Sequence, residues 1–379
     1  MKNSLNQFVS KNRDEIISML EIMVNMDSAS EFKDGVDALG NYLAEKFAFL
    51  GFEIEKDSQD FYGDHIICKL KGEGPNILII GHFDTALPQG TPQRRPFKIE
   101  GNKGFGPGAA DMKSGIVVAY FAIKFIIENT DVKPNITVIL NTDEEPGSPT
   151  SRHVIWREAK KAVMCFIMED SVGGSITTER KGVGIFTFTC KGKAAHAGAE
   201  PEKGRNAIIE MGHKIIELSA LNDSDRGVTI NVGVINGGTF PYVIAEEATA
   251  KVDCRIPTKE DGEKLIAKFN EIVANNHIDG VITEWTGNFH REPMEKTPET
   301  EKLIALVKEA GEELGLSIGE HMSGGASDGN LTSAVGIPTI CGMGPEGYRC
   351  HSEDEYVEIE SIFERTKLLA QVLYRFEKG

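Results

Sequence analysis

The most informative stretch of the sequence for the fold is Asn76-Ile77-Leu78-Ile79-Ile80-Gly81-His82-Phe83-Asp84-Thr85. In it, a short apolar run is followed at once by polar side chains. An apolar run of this length predicts a strand that is buried on both faces. Similar runs follow at 135–141 and 162–168, separated by helical patterns at 114–129 and 151–160. Buried strands that alternate with helices are typical of an α/β layered domain.

Several helix ends can also be predicted from the sequence. Apolar residues recur at helical spacing from Val36 to Leu50, and Gly51 is predicted to end that helix. Ser114 is predicted to cap the helix over 114–129. Two further helices are predicted near the end of the chain, over 299–314 and 359–376.

Between residues 183 and 293 the pattern changes to strands that alternate apolar and polar residues. The predicted order is strand, helix, strand, strand, helix and strand, over 184–191, 205–219, 228–235, 247–255, 259–275 and 281–285. This βαββαβ order is the ferredoxin-like pattern, in which two helices cover one face of a sheet. We therefore predict a small domain, 183–293, inserted into a larger α/β domain formed by 1–182 and 294–379.

Composition excludes some classes of partner. The chain has 379 residues, long enough for two domains, and a formal net charge of -17. An acidic surface repels nucleic acid and anionic membranes, so neither is expected as a partner. The sequence contains no signal-peptide pattern and no membrane-length apolar run. The six cysteines lack CxxC spacing and are interpreted as reduced thiols of a cytoplasmic protein.

Histidines and carboxylates follow the predicted strands. His82 could bind a metal while Asp84 accepts its second ring N–H. Glu144 and Glu145 follow the strand at 135–141, and Glu169 follows the strand at 162–168. Charge at the end of an apolar strand is costly without a cation. With His351 near the C-terminus, these nitrogen and oxygen donors suit zinc, and also manganese or cobalt.

A glycine-rich segment, 104–113, could cradle a phosphate or present Asp111 to a buried site. Pro107 removes one of the N–H donors that a phosphate loop needs. We therefore favour the second interpretation, while a nucleotide-binding enzyme remains a weaker alternative.

Taken together, these motifs resemble those of the co-catalytic zinc peptidases that include acetylornithine deacetylase, succinyl-diaminopimelate desuccinylase and, most similar, glutamate carboxypeptidase. The resemblance covers essentially the whole chain. It is carried by the HxD motif at His82, the Gly-rich segment ending in Asp111-Met112-Lys113, Asp143-Glu144-Glu145, His196-Ala197-Gly198 and His351-Ser352. It implies a mixed-sheet zinc-peptidase catalytic domain with an inserted ferredoxin-like α+β domain that serves as a lid and forms a homodimer.

The resemblance also implies a role for each site residue. His82 and Glu169 would bind one metal, Glu145 and His351 the other, and Asp111 would bridge them. Glu144 would be the general base, and a cis peptide would follow Asp111. Family members usually have Glu-Pro or Glu-Gly where this chain has Glu169-Asp170, so Asp170 is a rival ligand, although we favour Glu169.

Residues expected to contact the substrate are partly altered. By the resemblance, His196 would reach the partner subunit's active site and stabilise the oxyanion, and Arg255 would bind a substrate carboxylate. The loop containing Gly325 is kept. However, Tyr242 replaces a usual Asn, and Met322 replaces an Arg found in the folate-cleaving carboxypeptidase. These changes leave the substrate undetermined.

The expected function is therefore metal-assisted hydrolysis of an amide bond in a small peptide or N-acyl amino acid. Two divalent ions per subunit are expected, zinc first, with cobalt or manganese as alternatives. A deacylase or dipeptidase that uses the same chemistry is the nearest rival. A metal-free binding protein on the same fold is the rival from another class.

Overall fold

The computed structural model describes residues 1–378. Its strands are β1 Glu53–Asp57, β2 His65–Leu70, β3 Asn76–His82, β4 Lys98–Glu100, β5 Lys103–Phe105, β6 Asn135–Asn141, β7 Ala162–Ile167, β8 Ile176–Arg180, β9 Gly182–Lys191, β10 Thr229–Gly237, β11 Glu247–Ile256, β12 Ile282–Arg291, β13 Glu320–Ser323, β14 Thr339–Ile340, β15 Gly347–Tyr348 and β16 Tyr356–Glu358. Its α-helices are α1 Lys2–Asn25, α2 Lys33–Phe49, α3 Thr91–Arg94, α4 Ser114–Asn129, α5 Arg152–Ala159, α6 Ala207–Ser219, α7 Lys259–Ala274, α8 Pro298–Leu314, α9 Asp328–Ala334 and α10 Ile359–Lys378.

The chain divides into two compact units. The larger comprises Met1–Glu179, Lys296–Ser323 and the chain from Ser327 onward. The smaller comprises Arg180–Glu295 together with Gly324–Ala326. The short segment Gly324–Ala326 returns to the smaller unit from a distant part of the chain, which no local pattern in the sequence indicates.

A six-stranded sheet with the order β1-β2-β6-β3-β7-β14 forms the centre of the larger unit. Its last four strands run parallel, whereas β2 pairs antiparallel with both neighbours. The sheet is therefore mixed, as predicted. The apolar side chains of β3 and β6 are buried, which agrees with their continuous apolar runs. Because β6, β3 and β7 are parallel neighbours, their carboxyl ends lie along one edge of the sheet.

Helix α4 is buried along its whole first part, from Ser114 to Ile123, and packs against α1 and α10. The prediction that Ser114 caps this helix is wrong. Lys113 occupies the cap position and already has helical backbone angles, so Ser114 is the first residue of the helix itself. Its buried hydroxyl has no hydrogen-bond partner among residues 1–378. A small four-stranded sheet, β15-β16-β5-β4, contains β5, which includes the first residues of the glycine-rich segment, where the sequence indicated no strand.

The smaller unit has the ferredoxin-like order that its sequence predicted. Its antiparallel sheet has the order β10-β11-β9-β12, and α6 and α7 pack against it. Phe186 and Phe188 of β9 face Phe269 of α7, with ring centroids 5.1 and 5.0 Å apart. Edge-to-face rings and apolar burial stabilise this separate core.

Two further expectations concern the chain as a whole. No disulfide joins any of the six cysteines in the structure, and five of them are buried. Within residues 1–378, no helix combines the length and apolar character that crossing a lipid bilayer requires.

Candidate metal centre

The centre is built on the adjoining ends of β3, β6 and β7. His82 is the last residue of β3, Glu144 and Glu145 follow β6, and Glu169 follows β7. Helix α4 begins next to these strand ends. A Cβ atom at Gly115 would lie 1.8 Å from the carbonyl oxygen of Met168, so only glycine allows the helix to approach this closely.

Asp111 lies between the two histidines. Its Oδ1 is 3.0 Å from Nε2 of His82, and its Oδ2 is 3.1 Å from Nε2 of His351. Nε2 of His351 is also 3.0 Å from Oε2 of Glu145, and Nε2 of His82 is 3.9 Å from Oε1 of Glu169. The structure thus brings together the five side chains that the sequence proposed as ligands.

Two groups of donor atoms in this cluster are compact enough to hold an ion. One comprises His82, Asp111 and Glu145, and the other comprises His82, Glu144 and Glu169, with the donor atoms of each group within 4.8 Å of one another. Glu169 rather than its rival Asp170 is a member of such a group.

Asp111 is positioned by a carboxylate that the sequence interpretation missed. Glu355 is buried and accepts three backbone N–H groups of the glycine-rich segment. Its Oε2 accepts from Gly108 at 3.0 Å, and its Oε1 accepts from Ala110 at 2.9 Å and from Asp111 at 3.1 Å. The bond from Asp111 to Met112 is a cis peptide, which confirms the expectation drawn from the resemblance.

Asp84 orders the other side of the centre. Its carboxylate lies 3.4 Å from Nδ1 of His82, and the backbone carbonyl of Asp84 lies 3.3 Å from the same nitrogen. The carboxylate also accepts the backbone N–H groups of Glu144 and Glu145, both at 3.3 Å, and the hydroxyl of Ser30 at 2.8 Å. Asp84 therefore links the orientation of His82 to the position of the acidic segment.

The carboxylates of the cluster favour positive charge on the groups beside them. Hydrogen bonds to Asp111 and Glu145 raise the pKa of His351 to about 11. Burial opposes a charge on His82, yet its bonds to Asp111 and Asp84 raise the pKa of this histidine well above its usual range. Burial also raises the pKa of Glu355 to about 7. Neutral imidazoles and ionised carboxylates are the ligands that divalent transition metals bind, so the donor set fits such ions.

The remaining expected residues are distributed over both units. In the smaller unit, Nδ1 of His196 accepts the backbone N–H groups of Gly198 and Ala199, both at 3.1 Å. Arg255 forms a two-bond ion pair with Asp253 of the same strand, at 2.8 and 3.0 Å.

The last two expected residues are Gly325 and Met322. In the smaller unit, the carbonyl of Gly325 accepts from Arg180 at 3.2 Å. In the larger unit, Met322 lies on β13 and is 42% exposed.

Carboxylates and histidines that cluster beside the strand ends of an α/β domain form a candidate metal-binding site. Residues 78–375 match the peptidase family M20/M25/M40. The chain belongs to this family, and the protein is a metallopeptidase-type hydrolase.

Individual relatives agree with this assignment. Carboxypeptidase G2 of Pseudomonas sp. is 31% identical over 389 residues, covering 100% of this chain and 93% of that protein. Succinyl-diaminopimelate desuccinylase of Pseudoalteromonas atlantica is 28% identical over 387 residues, covering 95% and 98%. The aminopeptidase PepT structure from Bacillus cereus superposes with a TM-score of 0.84 at 23% identity, covering 96% and 98%. The family resemblance, including the similarity to a carboxypeptidase, is confirmed.

Proposed function

We propose that this hydrolase cleaves an amide bond in a peptide or N-acyl amino acid, in the manner of a carboxypeptidase, with two divalent metal ions per subunit. The observation that carries the proposal is the position of Asp111, whose two carboxylate oxygens each lie next to a different histidine. A carboxylate in this position is suited to bridge two ions.

The ligand assignment is the one that the family resemblance implies, and the distances from His82 to Glu169 and from His351 to Glu145 support it. His82 and Glu169 would hold one ion, His351 and Glu145 would hold the other, and Asp111 would bridge them. These five side chains are more than one tetrahedral ion accepts, which supports two ions. When bound, such ions make water acidic and polarise a substrate carbonyl.

Glu144 is proposed as the general base. Its backbone N–H is held by Asp84, and its side chain lies in the same compact group as His82 and Glu169. In this position its carboxylate can accept a proton from the attacking water and later give it to the leaving amine.

His196 is proposed to stabilise the oxyanion. Because its Nδ1 accepts two backbone N–H groups, the neutral ring carries its proton on Nε2 and can donate a hydrogen bond there. Preorganised donors of this kind stabilise developing negative charge.

Arg255 is proposed to orient a substrate carboxylate. Asp253 engages Nε and Nη2 of Arg255. A substrate carboxylate would therefore bind through the remaining Nη1 group or compete with Asp253.

The smaller unit is proposed to form a homodimer and to supply His196 to the partner subunit, as the resemblance implies. Strand β10 lies at an edge of its sheet, and Val234 and Ile235 on this strand are 47% and 53% exposed. Ile208, Ile209 and Ile216 of helix α6 are also exposed. Exposed apolar side chains on an edge strand and its neighbouring helix are suited to association.

Metal analysis and a substrate screen test the proposal. The purified protein should bind two equivalents of zinc, cobalt or manganese and should hydrolyse members of a panel of dipeptides and N-acyl amino acids. The Glu144→Gln variant should keep both metals and lose about 10²–10⁴-fold in kcat. Hydrolysis of N-acyl amino acids alone would favour the deacylase alternative, which the desuccinylase relatives support.

Two results would contradict the proposal. A protein that binds no divalent metal under these conditions would favour a binding protein on the same fold. A Glu144→Gln variant with unchanged kcat would place the base elsewhere.

A further inference from the structure

A cleft of about 500 Å³ lies beside the candidate metal centre in the larger unit. Its walls are the segments 29–32 and 85–89, together with Glu145 and Pro146. Glu145 belongs to both sites. Its Oε1 accepts the backbone N–H of Ala86 in the cleft wall at 3.0 Å, while its Oε2 faces His351. A substrate held at the metal centre would therefore extend naturally into this cleft.

The walls of the cleft are tied to each other and to the centre. Ser30 donates its backbone N–H to the carbonyl of Thr85 at 3.2 Å, and Thr85 donates to the carbonyl of Ser28 at 2.9 Å. The hydroxyl of Ser30 also bonds to Asp84. These bonds hold the two wall segments together at the end of the cleft that is nearest to Asp84.

The lining of the cleft is mainly apolar and carries negative charge. Phe32, Leu87, Pro88 and Pro146 contribute apolar surface. Among the lining residues, all within the described part of the chain, the charged side chains are Glu31 and Glu145, and no lysine, arginine or histidine is present. Since Glu145 faces His351 and the proposed ion, Glu31 is the charge that a bound group would meet. A carboxylate would be repelled here.

We infer that this cleft binds the acyl side of the substrate and prefers an uncharged apolar acyl group. This inference rests on the proposed function, which has a carboxylate at the opposite end of the substrate. That carboxylate would avoid Glu31, so the acyl end is the part that the cleft accommodates. The same charge disfavours a succinyl group, whose far end is a carboxylate.

The experiment compares three substrates with the same leaving residue, N-acetyl-leucine, N-(4-methylpentanoyl)-leucine and N-succinyl-leucine. The last two have acyl groups of nearly identical shape and differ in charge. Each methylene removed from water is worth roughly a factor of three to four, so kcat/KM for the 4-methylpentanoyl substrate should exceed that for the acetyl substrate at least tenfold. It should exceed the succinyl value by a similar factor.

Variants separate the two contributions. Glu31→Gln should narrow the gap between the succinyl and 4-methylpentanoyl substrates at least threefold, whereas Asp34→Asn, which removes an exposed charge outside the cleft lining, should not. Phe32→Ala should lower the ratio of 4-methylpentanoyl to acetyl hydrolysis, and Leu87→Ala provides a second test if Phe32→Ala fails to fold.

The possible failures are distinguishable. If the zinc-loaded enzyme hydrolyses these substrates but prefers succinyl, or if the apolar variants leave the ratio unchanged, the cleft assignment is wrong and the proposed function stands. If it hydrolyses no amide substrate at all, both are overturned.

Discussion

Replacing Glu355 with glutamine tests how Asp111 is positioned. Glu355 accepts N–H groups from Gly108, Ala110 and Asp111. In Glu355→Gln, the amide oxygen can still accept from Ala110 and Asp111. The amide nitrogen then faces the N–H of Gly108, so two donors oppose each other and the segment has to shift.

The size of the effect can be worked from these contacts. A hydrogen bond to a charged group contributes about 1.5–3 kcal/mol, and a buried N–H left without a partner costs about 1–3 kcal/mol. Burial raises the pKa of Glu355 to about 7, which means that the charged carboxylate is costly at this position. The neutral amide avoids that cost and so offsets part of the loss. Replacing a group that orients a metal ligand typically lowers metal affinity by about 10–100-fold. We therefore expect zinc affinity to fall by about 1.4–2.7 kcal/mol.

The assay is competition for zinc with a chromophoric chelator, combined with thermal unfolding of the metal-free protein. Glu353→Gln is the matched control, because Glu353 is exposed in the same segment. A folded Glu355→Gln variant whose zinc Kd lies within twofold of that of the unaltered protein would show that Glu355 does not position Asp111 for metal binding. A large fall in the metal-free Tm with unchanged zinc Kd would assign Glu355 a purely structural role.

Three further predictions follow from the site. The pKa values of His82 and His351 are raised in the metal-free protein, so a metal ion has to displace their protons when it binds. Zinc affinity, measured by calorimetry in several buffers, should therefore rise between pH 6 and pH 8 by up to about tenfold per pH unit for each proton released. An affinity that does not change with pH would contradict the assignment of these histidines as ligands. Mixing His196→Ala with Glu144→Gln chains should restore part of the activity if His196 acts on the partner's site, and confirmed heterodimers without recovery would exclude a shared site. Finally, Met322 cannot form an ion pair with an acidic substrate side chain. Substrates that end in leucine or phenylalanine should therefore have a higher kcat/KM than matched substrates that end in glutamate. A preference for glutamate would show that another cation takes the place of the arginine found in the folate-cleaving carboxypeptidase.

Three buried strands of the larger unit, β3, β6 and β7, and the polar residues at their ends could be predicted from the sequence, and so could the βαββαβ order of the smaller unit. Continuous apolar runs and alternating runs are local patterns, whereas the remaining strands of the larger unit lack such a pattern. His82, Glu145 and Glu169 could be proposed because each lies at the end of such a run or within a few residues after it. Asp111 and His351 were weaker candidates by themselves, since neither follows a long strand, and the family resemblance gave each of them a specific role.

The tertiary structure was needed to show how these residues come together and which groups hold them in position. Glu355 lies more than two hundred positions from the backbone N–H groups that it accepts, and it looks like one more residue of an exposed acidic run. Backbone hydrogen bonds join the segments 29–32 and 85–89 that form the cleft. Such bonds do not depend on which side chains the residues carry, so the sequence does not indicate them. Ser114 shows the same limit, because its place inside the helix depends on the irregular turn before it. The spacing of apolar residues indicates which side of a helix or strand faces the core, but contacts between distant segments depend on how the whole chain packs.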